Sequence, residues 1–375
     1  MNSPIDYLCP KCRKTYPLST PLWQCPHDGA PLNLTRGRAF EPARLSARAS
    51  GMWRYGHILA VEDPVFTLGE GATPLTKGQW EGAEVLYKLE FVSPTGSFKD
   101  RGISVMINYL TRCGISAFSN DSSGNAGASM SAYAAAAGAH CEIFVPATAS
   151  SGKIIQMKAA GAGIVQVPGS RQDVTTAAMQ TRNCFYASHN WHPLFLEGTK
   201  TIAYEIWESL GSRLVDNIVV PVGGGSVLLG LWMGFSDLLS SGSIHRMPRL
   251  FGVQAALCDP IHAEFCGLPG KQDGRTKRAT VAEGIATEKP VRLAEVLNAV
   301  RSSSGRMVAV GEAEIVAAFR GLARQGLYVE PTSAAAGAGL SLLRREKIIS
   351  PDERTLMVLT GSGLKASDTI GNIMG

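Results

Sequence analysis

The chain is poor in charged and in aromatic residues, which make up 18% and 7% of its 375 residues. Its lysines and arginines are spread along the chain and form no basic block. The formal net charge of +5 therefore gives at most a weak preference for anionic ligands. We expect no nucleic acid among the partners.

Long apolar runs are also missing. The start, MNSPIDYLCP, has neither the basic residues nor the apolar stretch of a signal peptide, and Gly or Pro interrupts every span of about 20 apolar residues. The longest candidate, NIVVPVGGGSVLLGLWMGF, contains Pro221 and a glycine triplet, which favours a strand, a loop and a helix. We expect no membrane partner.

The cysteines do not form the pattern of a disulfide framework. Three of the eight lie close together near the N-terminus, and the others are scattered. In a chain of this length, such spacing is typical of a protein from a reducing compartment. We therefore expect a cytoplasmic protein.

The pattern that is present is an alternation of short apolar runs with helical segments. EVLYKLEF precedes SFKDRGISVMINYLTRCG, in which Ile103, Met106, Ile107 and Leu110 form one stripe. The same order recurs in CEIFVPA with GKIIQMKAAGA, in GIVQVPG with RQDVTTAAMQTRN, and in NIVVPVGGG with SVLLGLWMGFSDLL, and RTLMVLTGSG closes the series. The pattern predicts an α/β protein with parallel sheets covered by helices, and the length predicts two or three packing units.

Glycine-bearing loops follow several predicted strands, where ligands bind in such sheets. In PVGGGSVLLG, three glycines precede a helix, so backbone N–H groups and the helix N-terminus can bind a phosphate. The loop lacks the Gly-Lys-Ser/Thr of a Walker A motif. It also lacks the spacing of a dinucleotide fingerprint, which argues against a nucleotide-dependent oxidoreductase. The alternative is a tight turn without a ligand.

Two further loops carry hydroxyl and amide side chains. NDSSGNAGAS places Ser122, Ser123 and Asn125 before a helix, and TLMVLTGSGLK places Thr360 and Ser362 after a strand. Each could bind a ligand. The alternatives are helix capping for the first group and a structural turn for the second.

Lys99, in SPTGSFKDRG, begins a predicted helix, where the helix dipole disfavours a cation. Partial burial near positive helix ends lowers the pKa of an amine and makes it a better nucleophile toward a carbonyl group. The alternative is a solvated lysine.

The motifs SPTGSFKDRG, SSGNAGAS, VGGGS, EPTSAAAGAG and LTGSGLK, in this order, resemble the fold type II pyridoxal-phosphate enzymes, most closely the threonine synthase-like branch. The resemblance covers roughly residues 60 to 375. It implies two open-sheet α/β domains of the tryptophan synthase β-like kind, and a homodimer. The expected division is residues 46–105 with 196–375 as the large cofactor-binding domain, residues 106–195 as the small domain, and residues 1–45 as an extension.

The resemblance also implies roles for single residues. Lys99 would hold pyridoxal 5'-phosphate as a Schiff base, Asn125 would meet the ring hydroxyl, and Thr360 would meet the pyridine nitrogen. The cofactor phosphate would lie on Gly223, Gly224, Gly225 and Ser226. The substrate carboxylate pocket would be formed by Ser122, Ser123 and Gly124. A hydroxyl at the pyridine nitrogen suits elimination better than transamination.

The sequence departs from the biosynthetic threonine synthases at two anion contacts. Ala126 stands where they usually carry a hydroxyl residue, and in HNWHPLFLEGTKT Phe195 stands where an arginine is expected. Lys153, Arg171 and Lys200 could supply the missing contacts, the alternative for each being a surface charge.

These departures leave the amino-acid substrate open. TVAEGIA looks more like the matching stretch of threonine dehydratases and β-replacing enzymes. The expected function is elimination, or elimination with replacement, on a β- or γ-substituted amino acid, such as O-phosphohomoserine. The alternatives are a threonine or serine ammonia-lyase, a cysteine or cysteate synthase-like enzyme and, remotely, a binding protein without activity.

The first residues, CPKCRKTYPLSTPLWQCPHDGAPL, resemble the zinc ribbon that precedes the catalytic body in several threonine synthase-like proteins. Cys9, Cys12 and Cys25 fit the pattern, and the fourth ligand is not a cysteine. Tetrahedral zinc accepts an imidazole or a carboxylate, so His27 or Asp28 could complete a structural site. The alternative is a metal-free segment.

Overall fold

The computed structural model describes residues 5–35, 38–47, 49–147, 151–211, 213–268 and 279–375, with the side chains of residues 151–153 not described. The contacts divide the chain into two compact units. The first unit comprises residues 1–72, 93–95 and 99–201, and the second comprises residues 73–92, 96–98 and 202–375. The domain bounds expected from the sequence stay a prediction.

The elements follow one another in the order that the apolar pattern predicts. The strands are β1 (Asp6–Leu8), β2 (Thr15–Pro17), β3 (Asn33–Leu34), β4 (Leu75–Trp80), β5 (Ala83–Leu89), β6 (Ala117–Asn120), β7 (His140–Pro146), β8 (Gly163–Val167), β9 (Phe185–Tyr186), β10 (Asn217–Pro221), β11 (Arg249–Ala255), β12 (Arg306–Val310) and β13 (Thr355–Leu359). The α-helices are α1 (Lys99–Arg112), α2 (Asn125–Ala136), α3 (Ser151–Ala159), α4 (Arg171–Gln180), α5 (Leu194–Thr199), α6 (Thr201–Leu210), α7 (Ser226–Ser240), α8 (Pro260–Phe265), α9 (Leu293–Ser302), α10 (Glu312–Ala323), α11 (Pro331–Arg345) and α12 (Ser367–Met374).

The second unit is built on a sheet with the strand order β12-β11-β10-β13-β5-β4. Neighbouring strands are parallel, except that β4 runs antiparallel to β5. Strands β10 and β13 are buried along their whole length, as expected for central parallel strands with helices on both faces. Helix α11 packs against the sheet and belongs to its apolar core. The carboxyl ends of β10 and β13 lead into the glycine loop and the Thr360 loop.

The first unit contains a parallel sheet, β8-β7-β6-β9, and a small antiparallel sheet, β2-β1-β3. The predicted stripe of α1 is fully buried, as its spacing requires. Helix α1 packs closely on α5. A Cβ atom at Gly198 would lie 2.0 Å from the carbonyl oxygen of Arg101, so only glycine allows this approach.

The predicted α/β architecture is confirmed. The candidate membrane-length run divides into strand β10, a glycine loop and helix α7. Strands β11 and β12 are additional to the alternation predicted from the sequence, and helix α12 follows β13, the last predicted element. None of the helices among the described residues has both the length and the apolar character needed to span a lipid bilayer.

Candidate active site

Lys99 is the first residue of α1, as predicted, and it is partly buried. Its Nζ atom lies 5.5 Å from the centre of the Phe195 ring, and Phe195 itself has no exposed surface. The ring lies against Gly102, one turn into α1, where a Cβ atom would come within 2.4 Å of a ring carbon. The amine is therefore placed over an aromatic ring at a helix N-terminus and not on a solvated helix face.

The residue after Lys99 fixes this end of the helix. Asp100 is fully buried and accepts hydrogen bonds from the Thr95 backbone at 2.7 Å and from the Thr95 hydroxyl at 2.6 Å. It also accepts a hydrogen bond of 2.6 Å from the Ser129 hydroxyl. Ser129 lies in α2, one turn after Asn125. The starts of α1 and α2 are thereby held together, and they bring Lys99 and Asn125 to the same region of the first unit.

The Ser122 loop joins β6 to α2. Asn125 is the first helical residue, and the N-cap is Gly124, which has no side chain to cap the helix. Ser122 accepts a hydrogen bond of 3.3 Å from the Gly124 backbone, and Ser123 is partly exposed. Capping therefore does not explain the presence of Asn125 here. Ser122, Ser123 and Asn125 all lie at the carboxyl end of β6, where parallel sheets bind ligands.

His189, which the sequence motifs do not indicate, lies close to the predicted site residues. It follows β9, at the same edge of the sheet as the Ser122 loop, and its ring lies 5.7 Å from the ring of Phe195. Its Nδ1 atom is buried and has no hydrogen-bond partner among the described residues. Burial, then the charges of Lys99 and Arg171, hold the pKa of His189 well below its usual range. The imidazole is therefore neutral near pH 7, with one nitrogen available to a ligand.

The three basic residues considered as anion contacts have different surroundings. Lys200 is buried and pairs with Glu197 at 2.9 Å, so its interpretation as a surface charge is wrong. Arg171 is half-exposed and pairs with buried Asp121 at 2.9 Å. The side chain of Lys153 lies outside the described residues.

In the second unit, the loop Gly223–Gly225 connects β10 to α7 as predicted. Gly225 is the N-cap of α7 and has φ +91°, a left-handed conformation that favours glycine. A Cβ atom there would also lie 2.2 Å from a methyl group of Val296. Ser226 is the first residue of the helix. The loop therefore places glycine backbone directly at the N-terminus of α7.

The Thr360 loop follows β13, and Thr360 is buried. Its hydroxyl lies 3.0 Å from the hydroxyl of Ser333 in α11. Ser333 also accepts a hydrogen bond of 2.8 Å from the Gly361 backbone. Ser362 accepts a hydrogen bond from the Leu364 backbone at 3.3 Å, which agrees with the turn interpretation for that residue. Ser333 lies inside the EPTSAAAGAG motif, but the sequence alone gave it no role.

Residues next to Lys99 in the chain are hydrogen-bonded to the Thr360 loop. The Phe98 backbone donates to the carbonyl of Thr360 at 3.0 Å, and Ser97 forms a β-bridge with Gly361. The hydroxyl of Ser97 is buried and has no hydrogen-bond partner among the described residues. Such a buried hydroxyl usually meets a ligand or a water molecule.

The N-terminal cysteines come together as predicted. The donor atoms of Cys9, Cys12, Cys25 and Asp28 all lie within 4.8 Å of one another. The two sulfur atoms of Cys12 and Cys25 are 3.7 Å apart, and Cys9 lies 3.5 Å from both carboxylate oxygens of Asp28. His27 is exposed and does not belong to the group. Of the two residues considered for the fourth position, Asp28 is the one next to the cysteines.

A family model described as pyridoxal-phosphate dependent enzyme matches residues 66–361. The chain belongs to this family. It is 35% identical to threonine synthase from Methanocaldococcus jannaschii, over 96% of this chain and 93% of that protein. It is 34% identical to threonine synthase from Methanosarcina acetivorans, over 87% of this chain and 83% of that protein. This pyridoxal-phosphate-dependent lyase therefore lies in the threonine synthase-like branch, as its motifs predict.

Solved structures of other members share the fold of this pyridoxal-phosphate-dependent lyase. An L-serine ammonia-lyase from Rhizomucor miehei superposes with a TM-score of 0.68 at 22% identity, over 81% of this chain and 98% of that chain. Threonine deaminase isoform 2 from Solanum lycopersicum gives a TM-score of 0.67 at 21% identity, over 81% of this chain and 88% of that chain. At this identity the likeness concerns the fold.

The residues of this lyase fit the family's cofactor. A loop of glycines before α7 suits a phosphate group, because backbone N–H groups and the helix N-terminus both favour an anion. The amine of Lys99 suits an aldehyde, and the buried hydroxyl of Ser97 has room for a further hydrogen bond. When bound, pyridoxal phosphate withdraws electrons from the substrate and makes the Cα proton acidic.

Proposed function

We propose that this lyase converts O-phosphohomoserine and water into threonine and inorganic phosphate. The observation that carries the proposal is the 35% identity to a threonine synthase over 96% of the chain. In this reaction the γ carbon loses phosphate and the β carbon gains a hydroxyl group from water. The buried hydroxyl pair of Thr360 and Ser333 supports elimination chemistry, because a hydroxyl at the pyridine nitrogen does not hold that ring protonated as a carboxylate would.

We assign the following roles to the residues of the site. Lys99 would hold the cofactor through its amine, and the same amine would be the base for the Cα proton of the substrate. The cofactor is held further by Asn125 at the ring hydroxyl, by Thr360 at the pyridine nitrogen, and at the phosphate by Gly223, Gly224, Gly225 and Ser226. The substrate carboxylate is bound by Ser122, Ser123 and Gly124. The N-terminus of α2, which lies at this loop, favours such an anion.

The role of Lys99 is tested by absorption spectroscopy. Purified wild type should be yellow, and Lys99→Ala should lose the visible band. Lys77→Ala, whose side chain is 71% exposed, is the matched control and should keep it. A wild type that stays colourless after addition of pyridoxal phosphate would overturn the cofactor assignment.

The substrate is tested by following phosphate release and keto-acid formation over a panel that contains O-phosphohomoserine, serine and threonine. Threonine synthesis requires phosphate release in step with threonine formation. Absence of phosphate release from O-phosphohomoserine by cofactor-loaded enzyme would rule it out.

A second candidate is ammonia-lyase activity on serine or threonine. The observation that favours it is the apolar character of two positions where anion contacts are expected, Phe195 and Ala126, both buried. Buried apolar groups in these positions offer no charge to a substrate phosphate. Keto acid and ammonia from serine or threonine, with no phosphate from O-phosphohomoserine, would select this activity.

We propose that the N-terminal extension binds a structural zinc ion through Cys9, Cys12, Cys25 and Asp28. Three thiolates and one carboxylate form a tetrahedral set that zinc accepts. Cys12→Ser should lower the zinc content measured by mass spectrometry of metals, and Asp28→Ala should weaken binding. His27→Gln should leave it unchanged. Equal loss in His27→Gln and Asp28→Ala would contradict the assignment of the fourth ligand.

We also propose that the protein is a cytoplasmic homodimer. The cytoplasmic location rests on the sequence, in which three of the eight cysteines lie together near the N-terminus and the others are scattered. The dimer rests on the resemblance to the family. Light scattering at micromolar concentration should give twice the mass of the chain, and cell fractionation should recover the protein with a cytoplasmic marker.

A further inference from the structure

The small parallel sheet of the first unit carries a second group of metal-binding side chains. His140 and Glu142 lie two residues apart on β7 and therefore project from the same face of the sheet. The Nε2 atom of His140 is 3.3 Å from the Oε1 atom of Glu142. Cys184, just before β9, completes the group, and the three donor atoms all lie within 4.8 Å of one another.

The register of the sheet explains why residues from two separate strands meet. Strand β6 lies between β7 and β9. On one side of β6, Ala117 pairs with His140. On the other side Phe118 pairs with Phe185, so the preceding residues, Ala117 and Cys184, stand next to each other in the register. The methyl side chain of Ala117 leaves space above the middle strand. Side chains from the two outer strands can therefore approach each other across it.

The three donors favour one class of ion. An imidazole nitrogen, a carboxylate oxygen and a thiolate sulfur suit Zn²⁺, whereas Mg²⁺ and Ca²⁺ prefer oxygen ligands throughout. With three protein ligands, zinc keeps a fourth position for water. The side chains of His140 and Glu142 are 59% and 30% exposed, so an ion can enter from solvent.

The group lies apart from the Ser122 loop in the same sheet. His140 is the first residue of β7, and Cys184 directly precedes β9, so both are at the amino ends of their strands. The Ser122 loop follows the carboxyl end of β6. An ion at the amino ends is therefore not in contact with the residues proposed to bind substrate.

We propose that His140, Glu142 and Cys184 bind a zinc ion that links β7 to β9 across β6, with water as the fourth ligand. The ion adds a connection to β9, which has two residues and pairs with β6 at only two positions.

The test uses the full-length, metal-stripped protein and Co²⁺ as the probe. Thiolate ligation of Co²⁺ gives a charge-transfer absorption band in the near ultraviolet, which reports binding at a cysteine. Wild type should bind one equivalent of Co²⁺ at this group, besides the equivalent at the N-terminal extension. Cys184→Ser should lose the equivalent at this group. Loss of a residue that only supports a metal ligand lowers metal affinity by about 10- to 100-fold. Glu142→Gln removes a ligand itself, so it should lower the Co²⁺ affinity of this group by at least about 100-fold. His140→Gln should do the same.

Two controls separate this group from the N-terminal extension. Cys12→Ser should remove the other equivalent and leave the Cys184-dependent band intact, and Cys266→Ser, at an exposed cysteine outside both groups, should change neither. Zinc should raise the melting temperature of Cys12→Ser but not of Cys12→Ser/Glu142→Gln. A Co²⁺ titration that is the same in wild type, Cys184→Ser, His140→Gln and Glu142→Gln would overturn the proposal. The two strand variants keep the test decisive if Cys184→Ser fails to fold.

Discussion

The Oδ1 atom of Asp100 lies 2.6 Å from the hydroxyl of Ser129, and both residues are fully buried. Asp100 is in the first turn of α1, directly after Lys99. Ser129 is in α2, one turn after Asn125. Through this contact, two helix starts that are separate in the sequence hold an amine and an amide in the same region.

Replacing Ser129 should lower both the stability of the fold and the affinity for the cofactor. Ser129→Ala removes one hydrogen bond to Asp100, which should cost about 1–3 kcal/mol of unfolding free energy. Because the starts of α1 and α2 then lose their link, affinity for pyridoxal phosphate should fall as well. Urea unfolding and a cofactor titration measure the two effects.

The control for this experiment is Ser131→Ala. Ser131 is also buried in α2, but its hydroxyl donates to the carbonyl of Gly127 in the same helix at 2.8 Å. This variant should keep the cofactor affinity of wild type. Equal cofactor affinities in the two variants would contradict the role of the Asp100 contact.

His189 should make the protein less stable in acid. Its pKa is lowered in the folded state, chiefly by burial, so below its ordinary value of about 6.5 the unfolded chain binds more protons than the folded one. The contribution of neutral His189 to the free energy of unfolding is therefore fully present above pH 6.5. It is lost as the pH falls below this value, by up to about 1.4 kcal/mol per pH unit. Urea unfolding at pH 7.5, 6.5 and 5.5 gives the slope.

In His189→Gln the acid-dependent loss should be smaller than in wild type. Burial also lowers the pKa of His57, so part of the slope should remain. His245→Gln, at an exposed position, should keep the slope of wild type. Parallel pH profiles for wild type and His189→Gln would show that His189 titrates alike in both states.

Replacing only one partner of the Lys88–Glu205 ion pair should strongly lower the free energy of unfolding. The two groups are 2.6 Å apart, and their side chains are 1% and 6% exposed. Lys88→Met leaves a buried carboxylate without its cation and should lower the unfolding free energy by about 3–5 kcal/mol.

Two further variants define the origin of that loss. Lys77→Met removes an exposed pair with Glu84 in the same sheet and should change stability by less than about 1 kcal/mol. The double variant Lys88→Met/Glu205→Met should recover much of the loss, because no charge stays buried alone. A double variant as unstable as Lys88→Met would argue that lost packing is the cause.

Two helical glycines should respond to alanine in opposite directions. In Gly198→Ala the new methyl group would meet the carbonyl oxygen of Arg101 at 2.0 Å, so α1 and α5 must separate, at a cost of about 1–3 kcal/mol or more. In Gly371→Ala no atom of the described residues, apart from the chain neighbours and the backbone of its own helix, lies within 4 Å of the new group, and the higher helix propensity of alanine should add about 0.5–1 kcal/mol. Thermal unfolding of both variants measures the difference, and a stable Gly198→Ala would contradict the close approach.

The sequence predicted the positions of the loops that follow strands in its strongest patterns. The glycine loop after β10 and the Ser122 loop after β6 are examples, because apolar runs ended by glycine and hydroxyl residues mark the carboxyl ends of strands. It did not predict His189. The strand before it has two residues, which is too short for a periodic signal, although its place after CFYA could have indicated a loop at a strand end.

The burial of Lys200 was also not predictable from the sequence. A lysine is usually exposed, and its partner Glu197 lies three residues earlier, as in many solvated helical pairs. The pair is hydrogen-bonded to a distant segment of the chain: the Ala60 backbone donates to Glu197 at 3.0 Å, and Lys200 donates to the Ile58 carbonyl at 3.4 Å. Likewise, nothing in the local sequence shows that Ser333 reaches Thr360, because α11 and β13 meet only in the folded chain.

The place of β13 in its sheet has a consequence for the order in which the protein can fold during synthesis. Leu356 of β13 pairs with Leu86 of β5, and on the other side Asn217 of β10 pairs with Thr355. Until the ribosome has released β13, the hairpin of β4 and β5 and the strands β10, β11 and β12 cannot join. Strands β5 and β10 of the second unit must therefore wait with unpaired edges, which exposes a nascent or truncated chain to chaperones and proteases.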